Sequence, residues 1–169
     1  IYEDDISFIK DVSMENIFID GKAMGVGLYS ETADSRMDRI FIKNISGTTE
    51  SHAVRITNGN GADGDGNFGS ITIDGVDVDI TGSSTLGGDD GTFNIHGNIE
   101  KLHLKNLVRQ DFTKAKPYIS LSDSEAIINQ LIIDGVQQET TGGTFSQAFL
   151  EVKAGSIEQC LINDYQHLE

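Results

Sequence analysis

The sequence predicts an all-β solenoid, a parallel β-helix. Three observations carry that prediction: a motif recurring at solenoid spacing, short alternating apolar segments between its copies, and a turn residue at a fixed place in each. The motif reads aliphatic, variable, aliphatic, polar, then Gly, Asn or Asp. It occurs as Ile17-Phe-Ile-Asp-Gly21, Ile40-Phe-Ile-Lys-Asn44, Ile71-Thr-Ile-Asp-Gly75, Leu102-His-Leu-Lys-Asn106, Leu131-Ile-Ile-Asp-Gly135 and Cys160-Leu-Ile-Asn-Asp164. The first positions 17, 40, 71, 102, 131 and 160 are 23, 31, 31, 29 and 29 residues apart, which predicts one coil per copy and about six coils.

Between the copies lie Ile6-Ser-Phe8, Val26-Gly-Leu28, Val54-Arg-Ile56, Phe93-Asn-Ile95, Ile119-Ser-Leu121 and Leu150-Glu-Val152. Alternation over so few β-branched and aromatic residues specifies strand rather than helix. A further apolar residue follows each turn position, at Ile45, Val76, Leu107, Val136 and Tyr165, so the strand bends and resumes. Gly and Asn suit a left-handed bend, because Gly has no Cβ to clash and Asn tolerates positive φ best among the rest. Stacked coils bring like positions about 4.8 Å apart. The polar position before the bend then reads Asp20, Lys43, Asp74, Lys105, Asp134, Asn163, with signs that alternate as a stable register requires.

Composition narrows the function classes. The 169 residues fit a single domain, 1–169, with its coils between residues 5 and 165. Lys+Arg 12 against Asp+Glu 27 leaves a net charge of −15, which repels phosphate backbones and anionic lipids, so no nucleic-acid partner is expected. No run approaches the roughly 18 apolar residues of a membrane span, so no membrane insertion is expected. The single cysteine, Cys160, excludes a disulfide framework; it falls in an inward aliphatic slot. No amphipathic helix flanks the first or last coil, so the chain reads as part of a longer β-helix.

These features resemble the right-handed parallel β-helix of the pectin-lyase-like superfamily, over nearly the whole chain from about Asp5 to Tyr165. The resemblance implies three sheets along the coil. The Ile-x-Ile-Asp-Gly copies correspond to the second strand and its bend, and Val54-Arg-Ile56 corresponds to the first strand. It is specific for architecture, since the superfamily includes lyases, hydrolases, epimerases, adhesins and phage tailspikes. Gly88-Asp-Asp-Gly91 before Phe93-Asn-Ile-His96 looks like the paired-aspartate entry of polygalacturonase-type hydrolases, and Val54-Arg-Ile-Thr57 looks like their substrate-binding string. Their order along the chain is reversed and that family's Asn-Thr-Asp and Gly-His-Gly elements are missing, so that family is not assigned.

Glycoside hydrolysis needs one protonated and one ionised carboxyl, about 5–9.5 Å apart. Aligning Phe93 with Val54 sets Asp89 level with Glu50, and that pair with Asp90 and His96 is the candidate acid/base set. Outward residues of the first strand, Arg55, Asn94 and Glu151 with Tyr29 and Lys153 beside them, offer the donors and acceptors that a glycan's hydroxyls need. Two Gly/Asp-rich segments, 58–69 and 81–91, read as insertion loops crowding one end of neighbouring coils. Asp63 and Asp65 in the first offer hard oxygens for Ca²⁺, yet the spacing fails both the EF-hand and the β-roll pattern, so no cofactor or metal is expected. His52 and His103 read as isolated outward or turn residues.

The outward residues of the motif strand, Phe18, Phe41, Thr72, His103, Ile132 and Leu161, form an apolar stripe that should be covered. Long loops of the same chain folding over it are one reading; the resemblance to tailspikes implies the other, a homotrimer. The leading expectation is a phage tailspike or appendage segment, on the virion tail, that binds a host surface polysaccharide, with degradation of that polysaccharide left open. A secreted polysaccharide lyase or hydrolase fragment and a site-free adhesin shaft are the alternatives; the sequence leaves open whether the chain is an enzyme.

Overall fold

A computed structural model describes residues 2–3, 8–30, 35–57, 67–81, 91–109, 117–121, 126–139 and 148–168. The strands, in chain order, are β1 (Tyr2–Glu3), β2 (Phe8–Ser30), β3 (Arg36–Thr57), β4 (Asn67–Ile80), β5 (Phe93–Ile95), β6 (Asn98–Arg109), β7 (Ile119–Leu121), β8 (Ile127–Glu139), β9 (Leu150–Val152) and β10 (Ser156–Leu168). Every pairing is parallel. The long strands stack in the order β2, β3, β4, β6, β8, β10, and the short ones stack from β3 through β5 and β7 to β9. The fold is therefore a parallel β-solenoid, and no helix among the described residues is long and apolar enough to cross a membrane.

Three sides can be followed up the stack. Side A holds the short strands, with Val54, Phe93, Ile119 and Leu150 in register. Side B runs through Ile40, Ile71, Leu102, Leu131 and Cys160. Side C runs through Ile45, Val76, Leu107, Val136 and Tyr165. The bend from B to C falls on Asn16, Asn44, Gly75, Asn106, Gly135 and Asp164, with φ between 50° and 80°. This is the left-handed turn that the sequence predicts. Inward residues of the middle rungs are sealed: Ile42, Ile71, Ile73, Leu102, Leu104, Leu131 and Ile133 are all 0% exposed. Each such burial stabilises by about 1.5–3 kcal/mol.

The register corrects the first repeat. Val12 stacks on Ile40 and Ile17 stacks on Ile45, so the first copy of the motif is Val12-Ser-Met-Glu-Asn16. The first spacing becomes 40 − 12 = 28 residues rather than 23, in line with the others. The polar column then begins with Glu15 beside Lys43 instead of Asp20, and its charges still alternate. The outward stripe of side B becomes Ser13, Phe41, Thr72, His103, Ile132, Leu161. Phe18, 76% exposed, belongs to side C opposite Ser46. Phe8 likewise opens side B opposite Arg36 rather than side A, and Ile6 lies outside the described residues.

The number of turns is also smaller than expected. About four rungs, on β3, β4, β6 and β8, have a neighbour both above and below. On β10 the inward residues Cys160, Ile162 and Tyr165 are exposed, because no described rung stacks on their far side. The residues that anchor the two inserted segments lie at different corners. Residues 58–66 join Thr57 on side A to Asn67 on side B, whereas residues 82–90 join Thr81, after side C, to Gly91 before side A. Their anchor points flank side A from opposite edges.

Candidate functional site

Alternation on side A turns Val26, Val54, Phe93 and Ile119 inward, so the residue after each points outward. Parallel register stacks these outward residues into one column: Gly27, Arg55, Asn94, Ser120 and Glu151. Tyr29 and Lys153 lie two residues further along the same face, and His96 occupies the corresponding place above β5. Of the five residues expected to contact glycan, Arg55, Asn94, Tyr29 and Glu151 thus fall on one sheet, and Lys153 follows directly after the end of β9. A Cβ on Gly27 would stand 2.4 Å from the Tyr29 ring, so that ring occupies the side-chain space of position 27. The tyrosine hydroxyl meets the Met24 sulfur at 3.5 Å.

The middle of this column is not the open polar sheet that the sequence suggests. Asn94 and Ser120 are 0% exposed, while Arg55 and Glu151 are half-buried. Among the described residues, five shielded polar atoms have no hydrogen-bond partner: Arg55 Nε, Asn94 Nδ2 and Oδ1, Ser120 Oγ and Glu151 Oε2. The nearest cation to Glu151 Oε2 is Lys153 Nζ at 3.7 Å. An orphaned buried polar group costs about 1–3 kcal/mol, and native folds keep such groups rare. Here several are stacked in one column of side A.

The acid/base candidates stand apart from this column or outside the described residues. Asp89 and Asp90 lie outside the described residues, as do Asp63 and Asp65. Glu50 is half-buried at the approach to side A, six residues before Ile56. His96 is half-buried at the far end, its backbone N–H donating to Ile56 O at 2.8 Å. His96 is level with Thr57, so up to about 23 Å of extended chain separates the two along the strand direction. Among the described residues no group of three His, Cys, Asp or Glu side chains is placed to hold a metal ion.

Two histidines are better partnered than the sequence indicates. His52 is 4% exposed, with Nδ1 at 3.0 Å from Gly91 O and Nε2 at 3.0 Å from Ser51 Oγ. A carbonyl only accepts, so Nδ1 carries the proton and Nε2 accepts from the serine hydroxyl. This pair pins the corner where the chain enters side A. His103 reaches Asp134 Oδ2 on the next rung at 2.7 Å, and Asn163 donates to Asp134 Oδ1 at 2.7 Å. Those two hydrogen bonds, the one from Asn163 first, hold the Asp134 carboxyl below the usual carboxylate range.

Arg109 was not singled out by any motif, yet it is 3% exposed. Its guanidinium lies 5.9 Å from the Tyr118 ring centroid and donates to Gln138 Oε1 and Ala148 O, both at 3.4 Å. Tyr118 stacks on Phe149 at 5.3 Å, and its buried hydroxyl donates to Val108 O at 3.1 Å. Burial pushes that hydroxyl's pKa upward. This cluster closes the corner between sides C and A from within. Only its spacing from Leu107, two residues on, signals that Arg109 turns inward.

Two hollows lined by described residues lie away from side A. One, of about 240 Å³, follows the B-to-C bend at Asn106, Gly135 and Asp164. The other, of about 230 Å³, opens at the start of side B among Arg36, Asn67, Asn98, Glu100, Ile127 and Asn129. Comparison with protein-family models, curated proteins and solved structures finds no match to this chain.

Proposed function

We propose that the chain is a polysaccharide-binding β-helical segment of a phage tailspike or appendage of the pectin-lyase-like type, homotrimeric on the virion tail, with a host surface glycan held along side A. The observation that supports this reading is the column of atoms without a hydrogen-bond partner on Arg55, Asn94, Ser120 and Glu151. It combines a guanidinium donor, an amide, a hydroxyl and a carboxylate acceptor at one-rung intervals, which matches a ligand whose hydroxyls both donate and accept. Arg55 and Glu151, half-buried at the ends of the polar series, are the first points of contact. Phe41, Ile132 and Leu161 on side B supply the apolar surface for neighbouring subunits.

The test is calorimetric titration with purified bacterial capsular and O-antigen polysaccharides, on protein whose mass light scattering has established as a trimer. Wild type is expected to bind at least one of them. Asn94→Leu should weaken binding about tenfold or more while raising Tm, because an apolar side chain removes two orphaned polar atoms. Binding that survives Asn94→Leu together with Arg55→Met, or a panel with no binder, overturns the reading. Within it, Asp89 and Asp90 are the residues through which binding would extend to cleavage: Asp89→Asn and Asp90→Asn silence a depolymerase and leave a binding module unchanged.

A further inference from the structure

The hollow at the start of side B has the makings of a separate sugar site, an inference that rests on the reading of the chain as a glycan binder. Arg36, Asn67 and Asn98 stack in one column, and Ile127 joins it through its N–H, which donates to Asn98 Oδ1 at 3.1 Å. Glu100 and Asn129 lie two residues further along their strands. Arg36 reaches past β4 to grip Glu100 with both ends of its fork, Nη1 to Oε1 at 2.9 Å and Nη2 to Oε2 at 2.8 Å. The rung between carries Gly69, where a Cβ would stand 1.9 Å from Asp38 Oδ1 and 2.7 Å from Arg36 Nη2, so its lack of a side chain makes room for both.

Besides the Arg36–Glu100 pair, the hollow is lined by amide and hydrocarbon. Asn98 Oδ1 is committed to the Ile127 N–H, which leaves Nδ2 as the donor end of that amide. Asn129 is exposed and its amide has no partner among the described residues. Ile127, 39% exposed, sets an apolar surface between them. Amides match the paired hydroxyls of a sugar ring, and an aliphatic side chain matches its C–H face. A volume of about 230 Å³ suits one ring rather than a chain.

We propose that this hollow binds a single neutral pyranose of a glycan. Neutrality follows from charge: Glu100 already neutralises Arg36, and the chain's net charge of −15 repels a uronate. The site is distinct from side A, so the two can be tested apart.

The experiment is a titration of ¹⁵N-labelled full chain, followed through the side-chain amide signals of Asn98 and Asn129. The probes are the methyl glycosides of glucose, galactose and N-acetylglucosamine, with galacturonate as the anionic comparison. At least one neutral glycoside should give saturable shifts at both amides in the millimolar range. Asn129→Ala and Ile127→Ser should each weaken that binding about tenfold with Tm unchanged, and Asn94→Leu should leave it intact. Absence of saturable shifts, shifts that persist in Asn129→Ala, or equal response to galacturonate would overturn the proposal. If the shifts are absent while polysaccharide still binds, the hollow alone is refuted; if neither binds, the glycan reading fails as a whole.

Discussion

At the level of single residues, the left-handed bends are where backbone geometry constrains the sequence most tightly. Asn106 sits at φ 50° and its Nδ2 donates to Asp74 Oδ1 at 2.6 Å. A β-branched side chain there meets the full left-handed penalty of roughly 1–2 kcal/mol and also loses this hydrogen bond. Asn106→Val should therefore lower stability by about 2 kcal/mol. Asn106→Gly keeps the bend and loses only the exposed hydrogen bond, and should cost less than about 1 kcal/mol. Urea unfolding of the three proteins checks the order; a valine variant no worse than the glycine variant would remove the strain argument. These bends were legible in the sequence because Gly, Asn and Asp recur at one motif position. The shielding of Asn94 and Ser120 was not, since alternation gives the side a residue faces but not what lies over that side.

Among the elements, strand pairing decides both register and pH response. The sequence placed the first repeat at Ile17-Phe-Ile-Asp-Gly21 because it is more apolar than Val12-Ser-Met-Glu-Asn16, and Gly21 does adopt φ 60°. Pairing overrode that choice: only the earlier string puts Asn16 below Asn44, whose Nδ2 donates to Asn16 Oδ1 at 2.9 Å. The same cross-rung bonding makes Asp38 a link between β3 and β4. Its Oδ1 accepts the Ser70 N–H and the Arg39 N–H, each at 2.8 Å. The Ser70 N–H above all, then the Arg39 N–H and the charges of Arg36 and Arg39, hold its carboxyl below the usual range against the opposing effect of burial. A depressed folded pKa means the unfolded chain takes up protons first. Asp38 thus contributes its full stability above the ordinary carboxylate pKa of about 4, and that contribution is lost as pH falls through the folded value. Tm measured from about pH 6 down to about pH 3 should fall less steeply for Asp38→Asn than for wild type. Parallel curves would show that the link carries no proton-coupled stability.

For the whole molecule, stability should be graded along the solenoid axis, because each rung contacts only its neighbours. Leu102 and Leu104 on β6 are 0% exposed between β4 and β8, whereas Ile162 on β10 is 44% exposed with β8 on one side only. Truncating Leu102 to Ala opens a cavity between two rungs and should cost about 2–5 kcal/mol. Ile162→Ala removes side-chain surface that is already partly wet and should cost less than about 1 kcal/mol. Amide hydrogen exchange reads the same gradient without mutation, since local opening requires only that one rung separate from the stack. Protection should be greatest in β4 and β6, fall through β8, and be least in β10, even though β10 carries an eleven-residue ladder to β8. Ladder hydrogen bonds on one edge only, together with exposed inward residues, separate β10 from β6, which is paired on both edges. Equal protection in β6 and β10 would therefore show that the stack unfolds as one unit rather than rung by rung, and Leu102→Ala would then lower protection everywhere by the same amount.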